Sequence, residues 1–86
     1  MSSTHLPPVP EEFQVLSMMH NIGAIIPERA LTPDELAKWT GIEVVHVKDC
    51  LQRLRELGYV KYIEVSGVEK YLVTKIGIMK VLTLYS

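Results

Sequence analysis

The chain has 86 residues, 48% of them hydrophobic, and a formal net charge of -1 from nine Lys+Arg against ten Asp+Glu. That length holds one domain rather than two, and the apolar content suffices for a compact core. The charge balance argues against strong, indiscriminate DNA binding, because phosphate contacts supply most of such affinity and dedicated binders usually carry a basic excess. Cys50 is the only cysteine, so no internal disulfide exists. With no apolar run near about 18 residues, no membrane span is expected. The start, Met1 to Pro10, lacks the basic beginning and long apolar stretch of a signal peptide. A cytoplasmic protein is the expectation. Pro7, Pro8 and Pro10 disfavour helix, so residues 1–9 read as a flexible N-terminal arm and 10–86 as a single domain.

Pro10-Glu11-Glu12 marks a helix start: proline suits the first turn, and two acids favour the positive end of the helix dipole. Phe13, Leu16, Met19 and His20 recur at helical spacing, as do Val15, Met18 and Ile22, a stripe wider than one core face needs. Asn21 and Gly23 are stop signals. A short connection through Pro27 follows, with a stub of strand expected before Leu31 ends it. Thr32-Pro33-Asp34-Glu35 then has the form of a capping box, with Leu31 and Leu36 spaced as a hydrophobic staple. This helix is expected to run to about Trp39, read as a packing residue, and Gly41 permits the turn after it. A third helix is predicted from about Glu43 to Leu57, with Val47, Cys50, Leu51, Leu54 and Leu57 as its buried stripe. Gly58 ends it, and Tyr59 is placed to fold back on Leu54. The period then alternates: strands over 60–65 and 69–74 flank a Ser66-Gly67 turn. The last segment, from Lys75, reads as a helix capped by Thr74, with Gly77 as a weak point.

The order is helix, helix, tight turn, helix, hairpin, helix. A capped short helix, a glycine turn and a longer second helix form a helix-turn-helix, and the hairpin is its wing. The residues from Leu31 to Ile42, continued by Val47, Leu51, Leu54, Gly58, Tyr59 and Val60, resemble winged-helix regulators of the broad MarR and ArsR type, in a compact form similar to archaeal ones. Tyr71 to Gly77 resembles their exit from the wing, with Val73 where leucine is usual. The resemblance covers roughly residues 31–77. It implies an α+β fold, a winged helix-turn-helix with a three-helix core, a β-hairpin wing and a C-terminal helix. It further implies a homodimeric transcriptional regulator whose third helix enters the major groove of double-stranded DNA.

On that mapping the DNA-binding residues are Val44, Val45, His46, Lys48, Gln52, Arg53 and Lys70. Lys38 and Lys61 are further candidates, while Arg55 is read as pointing away. Val44 and Val45 donate no hydrogen bonds and depart from the polar pattern usual there. From Thr32 to Leu57 four basic residues face five acidic ones, so the affinity expected is moderate to weak. The alternative is a winged-helix module that binds a protein partner with little or no DNA binding.

Two further features bear on function. Val15, Met18 and Ile22 in the first helix, and Ile78, Val81, Leu82 and Tyr85 in the last, exceed what one core needs. A two-fold dimer through these helices is the expectation, against closure of the monomer's own core by the last helix. His46 and Cys50 lie four apart, as two zinc or copper ligands can, which keeps a redox- or metal-responsive regulator as a variant. A tetrahedral site needs more ligands, and His5 and His20 lie elsewhere, so no metal or cofactor is expected. No nucleophile–base pair, phosphate-cradling glycine loop or paired carboxylates stand out, so no catalytic residues and no enzyme are expected.

Overall fold

The structure is a computed structural model that describes residues 9–84. The expected arm therefore lies outside the described residues except for Val9, as does Tyr85. Helix α1 spans Glu11–Asn21, α2 Pro33–Thr40 and α3 Val44–Glu56. Strands β1 (Val60–Val65) and β2 (Val68–Val73) form an antiparallel hairpin, and α4 spans Lys75–Leu84. The α+β architecture and element order are those the sequence predicts.

Local chemistry sets most boundaries. Thr32 Oγ1 accepts from Glu35 N–H (3.1 Å) while Glu35 Oε1 accepts from Thr32 N–H (2.9 Å), a reciprocal capping box with Pro33 in the first turn. Helix α3 closes as a Schellman motif: Tyr59 N–H donates to Leu54 O and Gly58 N–H to Arg55 O, both at 2.9 Å. At the hairpin tip Ser66 and Gly67 both take positive φ, 52° and 79°, the two-residue turn whose twist suits antiparallel strands. That turn fixes the register Val65↔Val68, Tyr62↔Tyr71 and Val60↔Val73. The stub expected before α2 is a one-residue bridge, Leu31↔Tyr71, and a single 3-10 turn at Pro27–Arg29 precedes it.

The core lies where α1, α2 and α3 meet the base of the hairpin and the inner face of α4. Val15, Leu16, Met19, Leu36, Val47, Cys50, Leu51, Leu54, Val73 and Val81 are buried within it. Three expectations about burial change. Leu57 is exposed, because it caps α3 rather than continuing its stripe. Trp39 is exposed as well, because Pro33, Leu36, Ala37 and Thr40 set the inward side of α2 and Trp39 falls off that arc. Val15 and Val81 belong to the monomer's core and are not surplus; the outer face of α4 is Ile76, Met79 and Leu82.

The β2–α4 junction holds the hairpin against α3. Thr74 N–H donates to Tyr59 O (3.0 Å), Thr74 Oγ1 donates to Gly58 O (2.6 Å), and Gly77 N–H donates to Thr74 Oγ1 (3.1 Å). Gly77 is therefore a close-approach residue and no weak point. A Cβ there would overlap the Tyr59 carbonyl oxygen and stand 2.7 Å from Val73 Cγ1. Gly77→Ala is expected to destabilise by about 1–3 kcal/mol, the usual cost of overpacking. At an open helical site the same change would stabilise by up to about 1 kcal/mol. Urea unfolding reads the sign, and a gain would mean that α4 stands clear of Tyr59.

Candidate nucleic-acid interface

The outward face of α3 is set by its core contacts. At about 100° per residue, Val44, Val45, Lys48 and Gln52 fall within about 100° of arc, turned about 120° from the buried row Val47–Cys50–Leu51–Leu54. All four are exposed, Val44 by 36% and Val45 by 58%. Glu43 occupies the N-cap of α3 but makes no side-chain capping bond. Its carboxylate lies 3.8 Å from His46 Nε2 instead, a solvated pair of small energetic weight.

Lys48 is the basic member of this stripe. With Thr32, Pro33 and Asp34 at the start of α2, and Val68 and Glu69 at the start of β2, it lines a cleft of about 230 Å³. It makes no ion pair among the described residues. Gln52 Nε2 donates to Glu56 Oε2 (3.3 Å).

Arg53 and His46 fall about 130–150° from the centre of the stripe, by the same helical geometry. Arg53 Nη2 reaches Glu12 of α1 (3.5 Å) and Cys50 Sγ (3.6 Å). Lys70 sits half-buried in β2 opposite Ile63. Val44, Val45, Lys48 and Gln52 are thus brought together, while His46, Arg53 and Lys70 stand apart from them.

Arg55 lies on the same side as the stripe at its C-terminal end. Its guanidinium stacks over Tyr62 of β1, 5.3 Å from the ring centroid. Tyr62 meets Tyr71 edge-on at 5.7 Å, and Tyr71 OH donates to Glu69. This chain of contacts ties the hairpin to α3. The Ser66-Gly67 turn could have revealed the Tyr62–Tyr71 pair by counting back from it, but no sequence signal placed Arg55 above them. The same register sets Glu64 opposite Glu69, a like-charge cross-strand pair.

Cys50 is fully buried. Burial pushes its thiol up, Arg53 opposes this, and Glu11 and Glu12 add to the rise. Sγ lies 3.9 Å from Glu11 Oε1. His46, by contrast, is exposed beside Glu43. Among the described residues no three or more His, Cys, Asp or Glu side chains are grouped to hold a metal, and no helix is long and apolar enough to cross a membrane.

The solution structure of the DNA-binding TubR fragment from Clostridium botulinum matches this chain with a TM-score of 0.76 at 20% identity, covering 92% of this chain and 99% of that one. This is a winged helix-turn-helix fold. A mutant of Lactococcus lactis ZitR matches with a TM-score of 0.66 at 16% identity; 98% of this winged-helix chain is covered, and it spans 56% of the ZitR chain. No protein-family model matches the chain, and no curated protein matches it in sequence. In the terms of the fold, α2 and α3 are the helix-turn-helix, and β1 and β2 are the wing.

Tyr71 gives a pH signature for the wing. Burial, then the Glu69 carboxylate, pushes its hydroxyl from the ordinary value near 10 up to about 12. A folded-state value above the unfolded one contributes stability that is fully present below pH 10 and is lost as pH rises toward 12. Unfolding free energy is therefore expected to fall through that window, and to fall less steeply in Tyr71→Phe. Parallel slopes from denaturant titrations at several pH values would contradict the assignment.

Proposed function

We propose that the protein is a non-enzymatic DNA-binding regulator of transcription, which places α3 in the major groove of duplex DNA and works as a homodimer. The observation that carries this reading is the exposed stripe Val44–Val45–Lys48–Gln52 beside the wing. It stands in a fold whose solved counterpart from Clostridium botulinum is described as DNA-binding. In this arrangement Lys48 and Gln52 supply hydrogen bonds to base edges or phosphates, and Lys70 and Lys61 supply charge from the wing. Glu43, Asp49 and the opposed Glu64 and Glu69 repel phosphate, so affinity at physiological salt is modest.

A dimer neutralising about four to eight phosphates has a slope of log affinity against log salt of roughly -4 to -7. Lys48→Ala is expected to weaken binding to all sequences and to flatten the slope by about 1 or 2 per dimer. Glu43→Ser is expected to tighten binding, since it removes a repulsion and supplies a capping hydroxyl. Fluorescence anisotropy with a labelled duplex measures both. Absence of salt-dependent binding at low ionic strength, with no effect of Glu43→Ser, would favour the second reading, a protein-interaction module. The acidic residues around the stripe are what keep that reading in view.

The dimer rests on α4. Ile76, Met79 and Leu82 share its outer face and are 58%, 59% and 60% exposed. Met18 and Ile22 of α1 are half-buried and can add to the rim. Isologous pairing of such a face is the commonest way to cover it. Sedimentation at micromolar concentration is expected to give twice the 9.8 kDa chain mass, and Met79→Glu to give the monomer. A monomer in the unmutated protein would refute the pairing.

A further inference from the structure

We infer that Val44 and Val45 read the C5-methyl groups of thymine in the major groove, so that the protein distinguishes A·T from G·C pairs by apolar contact at the tip of α3. This rests on the DNA-binding reading above.

Both valines lie in the first turn of α3, and both present their side chains to solvent. Neither is needed by the core, which takes Val47, Cys50, Leu51 and Leu54 from this helix. An exposed β-branched pair at a helix start gains nothing from helix propensity and leaves apolar surface in water. Its chemical complement in a major groove is the thymine methyl, the one apolar group on any base edge there. The rest of the stripe continues the match along one side of the helix. Lys48 carries donors suited to guanine O6 and N7, and Gln52 a donor and an acceptor suited to adenine N6 and N7.

The nearby polar groups leave the valines as the readers of this turn. Glu43 lies 3.8 Å from His46 Nε2, and His46 itself lies on the opposite flank of α3. A protein partner fits the patch less well. Two valines bordered by Glu43, Lys48 and Asp49 offer a small part of the roughly 800 Å² that each side of a stable protein interface buries.

The test removes methyls from the DNA, which leaves the protein's folding untouched. The tightest duplex recovered from a randomised pool is synthesised twice, once with thymidine and once with deoxyuridine at every position. Each contacted methyl is expected to account for about fourfold in affinity, the worth of one buried methyl-sized group, so two contacts give at least tenfold in favour of thymidine. Val45→Ala, an exposed position, is expected to shrink that ratio, and Val44→Ala with Val45→Ala to abolish it. Salt-dependent binding with equal affinity for the two duplexes would overturn the inference and leave the DNA-binding reading in place. No duplex binding at low ionic strength would overturn both the inference and the DNA-binding reading.

Discussion

The carbonyl groups of Gly58 and Tyr59 sit where α3 ends and β1 begins, and the placement of the wing depends on them. The Schellman closure of α3 uses the N–H groups of these two residues and leaves their carbonyls for other donors. Thr74, at the far end of the hairpin, satisfies both, one through its backbone N–H and one through its hydroxyl. The same hydroxyl accepts from Gly77 and so starts α4. One threonine thus closes the hairpin, anchors it to α3 and caps the next helix. Gly77 lets α4 come against the Tyr59 carbonyl, where any side chain would collide. The sequence pattern from Tyr71 to Gly77 is therefore a packing requirement, and it says nothing by itself about what the domain binds.

The second tie between wing and helix is electrostatic and aromatic. Arg55 lies over Tyr62, Tyr62 against Tyr71, and Tyr71 donates to Glu69. Glu69 thereby has a partner for a carboxylate that otherwise faces Glu64 across the strands. The same economy operates on the other flank, where Arg53 is engaged by Glu12. Basic residues that a count of charges would assign to DNA are occupied within the fold. Lys48 is the basic residue left unpaired on the stripe that faces outward beside the wing. The near-neutral charge comes from composition, nine basic against ten acidic residues, and internal engagement of Arg53 and Arg55 further thins the basic groups free on the stripe, so the proposed DNA contact draws little on phosphate charge.

Several features needed only the sequence, because their causes are local. The capping box at Thr32 depends on residues three apart, and the helix stop at Gly58 depends on one glycine. The hairpin register follows from a two-residue turn. The boundaries of β1 and the order of all elements are legible for the same reason. Apolar spacing also identified Val47, Cys50, Leu51 and Leu54, since helical periodicity projects directly onto a buried face.

Tertiary structure decided what depends on residues distant in the chain. Trp39 is apolar and within a helix, yet exposed, because the inward side of α2 is fixed by partners elsewhere, and Leu57 is exposed because α3 ends at it. Val81 and Leu82 are adjacent and similar, but Gly77's approach to Tyr59 turns one inward and the other out. Arg53 and Arg55 are two residues apart, and only the neighbouring α1 and β1 show that one meets an acid and the other an aromatic ring. Composition and periodicity fix what each segment can bury, while the angle at which segments meet depends on contacts summed over the whole core. That angle assigns the leftover side chains of α3 to a shared outward stripe or to separate flanks.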